Sequence, residues 1–588
     1  MSAIVGIYYP DNRPVNSLHL DHMLKSLAHR GPDGAGAWQE GPMGLGHGRL
    51  WTTPESVHEK LPLANKTGDF ILTADARIDN RNELIATLEI TDPPSNEITD
   101  GELILRAYEQ WGEHCLEKLL GDFAFALWDR RRQVLFCARD PFGVKPFYYY
   151  HSDRIFAFAS EIKALLCLPE VPRRLNEVRV ADYLVSILED KIITFYREIF
   201  RLPPGHCMTV DREKVSIHSY WSLDPTHDIR YGSNEEYAEA FHDLFREAVR
   251  CRLRSAFPIG STLSGGLDSS SVVCMARKIL AQDHSRGLQT FSAIFDTVPQ
   301  CDERPFINAV LAQDGLKPHY IPADRLSPLT DLERMFWHED EAFYTPNLFI
   351  HWGLYKAAHQ QNVRVFLDGL DGDTTVSHGL SLLTELFRAG KWYSLIMEIK
   401  DLSRYFNRSP WRLFRMYVLR PFTPKPIRQV WRVLRGRARP DWMVGTVINP
   451  YFASRIGLTE RYQTLLKGHL DVAYSSRENH WRRLTAGLIP FALEVADKAA
   501  AAFSLEPRYP FFDRRLVEFC LALPPEQKLY RGWTRIILRR AMADVLPVEV
   551  QWRRDKSNLA PNFTQGLLAF ERERLEEVIL NNSNRVEE

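Results

Sequence analysis

The string Ser264-Gly265-Gly266-Leu267-Asp268-Ser269 lies between a short apolar run, residues 258–263, and a segment of helical period, residues 270–280. That order of strand, glycine turn and helix constrains the fold more than any other feature of the chain. It defines a βα unit, and further short apolar runs at 290–295 and 363–367, separated by helical segments, predict a parallel sheet with helices on its faces. The two glycines let backbone N–H groups approach phosphate oxygens, and the helix N-terminus adds partial positive charge. Ser264, Ser269 and Ser270 add hydroxyl donors. A carboxylate in such a cradle makes sense with a cation, so Asp268 reads as a Mg²⁺ ligand rather than a base. A turn that merely caps a helix is the plainer alternative, and six residues of this kind in this place make it the weaker one. No glycine-rich string ending in Gly-Lys-Ser/Thr occurs, which separates the loop from the β,γ-directed transfer of kinases and ATPases.

A chain of 588 residues exceeds what one hydrophobic core organises, so two domains are expected. Residues 1–222 carry short apolar or alternating runs at 4–9, 70–73, 123–128, 134–138, 155–159 and 207–210, broken by Gly, Pro and Asp. Helical period appears at 19–29 and at 101–111, the latter capped by Thr99 or Asp100 with Glu102 behind it. Layered sheets with two helices are predicted there. Residues 223–234 are polar and aperiodic and read as a linker; residues 235–588 hold the βα unit and become increasingly helical. Lys and Arg number 74 against 75 Asp and Glu, a balance that argues for neither a nucleic-acid partner nor a strongly acidic substrate, and no nucleic acid is expected. Eight cysteines with no C-x-x-C pair read as reduced core residues. With no signal-type N-terminus and no apolar span of about 18 residues, the expectation is a soluble, cytoplasmic protein with no transmembrane segment.

The loop does not stand alone. After an apolar strand, S-G-G-L-D-S resembles the pyrophosphate loop of enzymes that release AMP and pyrophosphate from ATP. Glu494-Val495-Ala496-Asp497-Lys498, residues 503–513, Leu516-Val517-Glu518-Phe519 and residues 523–528 resemble the C-terminal core of asparagine synthetases. His29-Arg30-Gly31-Pro32-Asp33-Gly34, residues 121–129, Ala138-Arg139-Asp140, Gly143-Val144-Lys145-Pro146 and residues 160–165 resemble that family's glutaminase domain. The resemblance covers most of the chain. It implies an αββα amidotransferase-like (Ntn) sandwich followed by a doubly wound parallel-sheet PP-loop domain of the adenine-nucleotide alpha-hydrolase type with helical additions. It implies ATP and Mg²⁺ as well: adenine near Leu263 and Phe295, phosphates on the loop and Gly369, and the metal on Asp268 and Asp373. A late lysine, Lys556, would stabilise acyl transfer, with Arg553 and Arg554 as rivals.

Three departures matter. Glutamine-hydrolysing members begin Met-Cys-Gly-Ile, the cysteine being the nucleophile; here the string is Met1-Ser2-Ala3-Ile4. The family's Asn-Gly oxyanion pair is matched by Asp75-Ala76, and an anionic side chain there repels the oxyanion. Arg49 still matches the arginine that would clamp a glutamine carboxylate, at even weight with a structural ion pair. The first half therefore reads as a degenerate glutaminase. In the second half the family's Gly-Glu-Gly-x-Asp-Glu string is matched by residues 369–374, where Asp373 keeps the metal position and Leu370 replaces the first Glu. Leucine cannot receive a proton, and Asp371 and His378 are the nearby groups able to serve as base for an amine. For His378 a purely structural loop role is the heavier reading.

A degenerate glutaminase on an adenylating half is the pattern of the family's offshoots whose amine is already inside the substrate, the β-lactam synthetases and lasso-peptide cyclases. Residues 402–440 hold eleven Arg or Lys and no acid, with Arg404, Arg408 and Arg415 predicted on one helical face and Arg428, Arg432, Arg435 and Arg439 on another, interleaved with aromatic residues. Such a stretch suits a precursor peptide, a partner protease or anionic lipid; a solvated insertion is the bland alternative. The leading expectation is a peptide macrolactam cyclase, the alternatives being an asparagine synthase fed by ammonia or glutamine and a nucleotide-binding regulatory protein.

Overall fold

The computed structural model describes residues 2–92, 94, 96–282, 287–423, 427, 443, 446–467, 473, 475–554 and 556–581. Near its start the chain alternates in a way that decides its layers. In the strand Ala3–Tyr8, Ile4 and Tyr8 point into a core between two sheets, whereas Ala3, Val5 and Ile7 point outward beneath a helix. Both faces are buried, so the run is apolar throughout. Gly121–Asp129 repeats the arrangement in the second sheet, with Ala124, Ala126 and Trp128 inward and Phe123, Phe125 and Leu127 outward. Two six-stranded antiparallel sheets thus pack face to face. Helix Ser17–Ser26 covers the first through Leu20 and Met23, and Asp100–Trp111 covers the second through Leu103, Ile104 and Ala107. Thr99 caps the latter by accepting from the Glu102 amide at 3.1 Å. The result is an αββα sandwich.

From Asn234 the architecture changes. Five parallel strands, β1 (Ile259–Thr262), β2 (Leu288–Ile294), β3 (Leu316–Pro322), β4 (Val365–Leu367) and β5 (Glu506–Arg508), lie in the order β3-β2-β1-β4-β5. Helices Asn234–Arg252 and Leu267–Gln282 pack one face through Phe241, Phe245, Val272 and Met275. Leu348–Gln360 and Leu488–Ala501 pack the other through Trp352, Tyr355 and Val495. The strand order reverses between β1 and β4, and in such sheets the crevice beyond the carboxyl ends of the two central strands is where ligands bind. The loops leaving β1 and β4 are the two singled out by sequence.

Helical additions follow. Trp392–Phe406 packs through Leu395, Ile399 and Leu402 onto a cluster containing Leu383, Leu413 and Val418. It stops at Asn407, which takes a left-handed conformation, and Pro410 opens a new helix that continues through a π turn at Arg415–Leu419 to Phe422. Arg404 therefore does not share one helical face with Arg408 and Arg415, because an αL cap and a proline divide the segment. Arg428, Arg432, Arg435 and Arg439 lie outside the described residues. All eight cysteines are free thiols and seven are buried. No described helix is long and apolar enough to cross a membrane.

Candidate functional site

Ser264 to Ser269 turns tightly where β1 ends. Gly265 has φ +67, and a Cβ there would lie 2.8 Å from the Phe306 Cβ. Ser264 and Ser269 are joined through their hydroxyls at 2.9 Å, and the Ser264 amide donates to Ser269 Oγ at 3.2 Å. The loop after β4 is pressed onto this turn. A Cβ on Gly369 would sit 2.7 Å from the Ser269 amide nitrogen, and one on Gly372 would sit 2.9 Å from Asp268 Cγ. Two glycines are thus what lets the second loop reach the first. Leu263, Ser264, Gly266, Asp268, Ser269, Phe295, Gly369, Asp371, Asp373, His378 and Lys556 all line one cavity of about 620 Å³, and Gly265, between two of them, does not line it. A larger cavity, about 1190 Å³, opens at the other end of the sheet between the two halves; none of these residues reaches it.

Charge in the cavity is arranged in pairs. Arg535 Nη1 donates to both Asp268 carboxylate oxygens, at 2.6 and 2.7 Å. His378 Nε2 lies 3.4 Å from Asp373 Oδ2; this contact, with Arg535 and Lys556 nearby, holds Asp373 well below the usual carboxylate range against the effect of burial. Burial, then the neighbouring Asp373, push Asp371 up to about 6, and its backbone is left-handed at φ +53. Two loop carboxylates, with phosphate oxygens to complete the shell, are the donor set that Mg²⁺ takes, and Asp268 and Asp373 fit it. Leu370 turns its side chain to an apolar cluster that includes Phe142, Leu493 and Tyr509. Of the rivals to Lys556, Arg553 is spent on structure: it donates to the Gly265 carbonyl at 2.9 Å and pairs with Glu303. Arg554 lies over the Tyr405 ring at 4.8 Å.

Sequence reasoning missed Arg535 and its supporting neighbours. Nothing in the string Thr534-Arg535-Ile536 marks a site; only the fold brings it to Asp268. His480 was missed for the same reason. Its Nε2 donates to the Thr374 and Thr375 carbonyls, both at 3.0 Å, and its Nδ1 faces Lys528 Nζ at 3.0 Å, which fixes the segment following Asp373.

In the sandwich, the Ser2 amide faces Asp75 Oδ1 at 3.3 Å, and Ser2 Oγ accepts from the Leu50 amide at 3.3 Å. Asp75 is buried and flanked by two cations, Lys145 Nζ at 3.3 Å and Arg30 at 3.5 Å. Ala76, next along the strand, points the other way into the helix-covered core. Arg49 donates to the Ala35 carbonyl at 2.7 Å and makes no ion pair among the described residues.

The residues around Asp75 belong to a seam between the two halves. Arg30 also binds Glu161 at 2.9 Å and, from the second half, Asp497 at 2.8 Å. Glu494 accepts from Arg139 and Arg201 at 2.8 Å each and from the Tyr148 hydroxyl at 2.9 Å.

With both sites defined, comparison with known proteins is direct. A glutamine amidotransferase domain model matches residues 1–221, and the asparagine synthase model matches residues 240–588, more than half the chain. The chain belongs to the asparagine synthase family. Among its relatives, asparagine synthetase (glutamine-hydrolyzing) 3 of Bacillus subtilis is 25% identical over 569 residues, covering 93% of this chain and 85% of that protein. A putative asparagine synthetase (glutamine-hydrolyzing) 2 of Methanocaldococcus jannaschii is 31% identical over 373 residues, 60% of this chain and 71% of that one. Amidase chry2 of Gibberella zeae is 24% identical, covering 92% and 85%. As an asparagine synthase family member the protein is an ATP-using carbon–nitrogen ligase.

Proposed function

We propose that this ligase closes a peptide onto itself: an Asp or Glu side-chain carboxylate is adenylated and then attacked by the peptide's own N-terminal amine, giving a macrolactam of the lasso type. Residues 235–588 carry the chemistry, and residues 1–222 serve as a scaffold without glutaminase activity. The observation that carries the reading is Asp75, ion-paired to Lys145 and Arg30 where glutamine hydrolysis would need a neutral oxyanion donor, beside a nucleotide loop that keeps both Asp268 and Asp373. ATP loses pyrophosphate as the carboxylate takes AMP; the amine then displaces AMP and gives up a proton. Ser264, Gly265, Gly266, Ser269 and Gly369 would cradle the phosphates, with adenine against Leu263 and Phe295. Asp268 and Asp373 would hold Mg²⁺, which supplies charge neutralisation on the departing pyrophosphate. Lys556 is the candidate for stabilising acyl transfer, and Asp371 or His378 for taking the amine's proton. A neighbouring protease that trims the precursor is the partner this reaction calls for, and the cytoplasm the compartment that supplies ATP.

The names of the relatives favour a second reading, asparagine synthesis from aspartate with ammonia or glutamine; Leu370 and Ser2 weigh against it. A regulatory nucleotide binder has no need of two carboxylates in one cavity. The test is pyrophosphate release from Mg·ATP with aspartate plus ammonia, aspartate plus glutamine, and candidate precursor peptides, with Asp268→Ala as control. Release with peptide alone supports the cyclase. Release that depends on aspartate and a nitrogen source replaces it with the second reading.

A further inference from the structure

Helix Trp392–Phe406 buries Leu395, Ile399 and Leu402, yet its other face is apolar as well: Trp392, Tyr393 and Ile396 are 52, 78 and 61% exposed. Beside it Trp411, 63% exposed, stacks on Phe414, and Phe387 bridges Trp392 and Phe422 at 5.1 and 4.8 Å. Large side chains gathered in water on adjoining helices mark an interaction surface rather than a folding core. Lys391, Lys400, Arg404, Arg412, Arg415 and Arg420 surround them, and none is paired to a carboxylate among the described residues.

The helix that carries this face reaches the cavity at its C-terminal end. That end is Phe406, which lines the cavity mouth. Tyr405 packs on Trp533 at 4.0 Å and Trp533 on Trp552 at 4.9 Å, and the chain then runs through Thr534 to the Arg535 that holds Asp268. Glu398 accepts from the Arg531 and Gly532 amides at 2.8 and 2.9 Å, clamping the helix to that hairpin. Gly532 is required there, with φ +76 and the Asp401 backbone 2.8 Å from where a Cβ would be.

We propose that this basic, aromatic face binds a segment of the peptide substrate rich in carboxylates and apolar side chains and leads the reacting residue into the cavity. The inference rests on the peptide reading above. Unpaired cations select an acidic ligand, and exposed aromatic rings select apolar side chains on it. A helix that runs from this face to the cavity favours a chain that enters it over a bilayer that only rests on the surface. From Trp392 to Phe406 the helix rises roughly 21 Å at 1.5 Å per residue, a span that an extended peptide covers in about six or seven residues. The recognised segment should therefore lie at least that far from the residue that reacts.

Binding and turnover are measured apart, so that each reading fails on its own terms. Fluorescence anisotropy follows a labelled acidic peptide alternating Glu with Leu and its lysine counterpart; sedimentation follows vesicles of phosphatidylcholine with and without phosphatidylglycerol. The acidic peptide is expected to bind at least about tenfold more tightly than the basic one, and Arg404→Glu with Arg412→Glu, or Tyr393→Ser with Ile396→Ser, to remove about that factor. Thermal stabilisation by Mg·ATP should be unchanged in both variants, which shows the fold and cavity intact. Equal binding of the two peptides, or binding that the variants leave intact, overturns the proposal, as does phosphatidylglycerol-dependent sedimentation lost in the variants with no peptide preference. Acidic-peptide binding lost in the variants while pyrophosphate release answers only to free aspartate supports the surface and overturns the peptide reading of the reaction.

Discussion

At the scale of single residues, Asp75 and Lys528 are two buried polar groups with different surroundings. Asp75 lies between Lys145 Nζ at 3.3 Å and Arg30 at 3.5 Å. Restoring the nucleophile is then not enough: Ser2→Cys should leave glutamate release from glutamine at background, since the carboxylate still opposes an oxyanion. Measurable hydrolysis by that single variant would show that Asp75 is not at the oxyanion position. Lys528 is buried with His480 Nδ1 and the Leu521 carbonyl as its partners, and burial, reinforced by Arg477, lowers it to about 7. Between about pH 7 and 10.5 the unfolded chain binds a proton that the folded protein has released, so stability rises with pH across that window, by up to about 1.4 kcal/mol per unit. Lys528→Met should abolish this slope in urea midpoints collected from pH 6.5 to 9.5; an unchanged slope means that the lysine is charged in the fold. What sequence reading could see at this scale was local. Six residues of the nucleotide turn announce themselves together, whereas Arg535 reaches Asp268 across 267 positions and carries no motif of its own.

The two loops at the carboxyl ends of β1 and β4 form a single element in function, and their fit depends on glycine. Gly372 takes an ordinary helical backbone, so only contact excludes a side chain there, with Asp268 Cβ and Cγ 2.9 Å from its missing Cβ. Gly372→Ala is expected to displace Asp268, lowering pyrophosphate release by about a hundredfold, the usual effect of a misplacement near 1 Å. Circular dichroism should be unchanged, because the strain stays within the loops. Activity within a factor of two or so of wild type would mean that Asp268 can shift without consequence. Strands and helices were legible where one period ran uninterrupted, as in the βα unit, since burial on a repeating face leaves a repeating pattern. The segment after Leu402 was misjudged because arginine is tolerated at exposed positions of any helix, so its spacing says nothing of where one helix stops; Asn407 and Pro410 held that signal.

For the molecule as a whole, strings that in sequence resemble two separate domains turn out to face one another. Arg30, Arg139 and Glu161 of the first half and Glu494 and Asp497 of the second meet in one buried seam. No pattern within either half could reveal this, because each string is complete only with its partner some hundreds of residues away. Glu494 is the centre of the seam, with three donors from the first half, Arg139, Arg201 and Tyr148. Burial alone would raise its pKa, but Arg201, then Arg139 and Lys498, overcome that and bring it to about 2. A carboxyl depressed on folding stabilises the fold fully above its unfolded value, near 4.5, and loses that contribution as pH falls through about 2. The amount is on the order of 3 kcal/mol, concentrated at one junction. The intact chain should therefore unfold in one thermal transition at neutral pH. It should resolve into two as pH drops from 4.5 towards 2, with proteolysis appearing in the irregular stretch between Ser219 and Asn234. Glu494→Gln should show the two transitions already at neutral pH, because an amide leaves Arg139 buried without a counter-charge and Arg201 with Glu341 alone. A single transition with an unaltered midpoint in that variant would mean that apolar contacts such as that of Phe142 with Phe512 hold the halves together without the ion pairs.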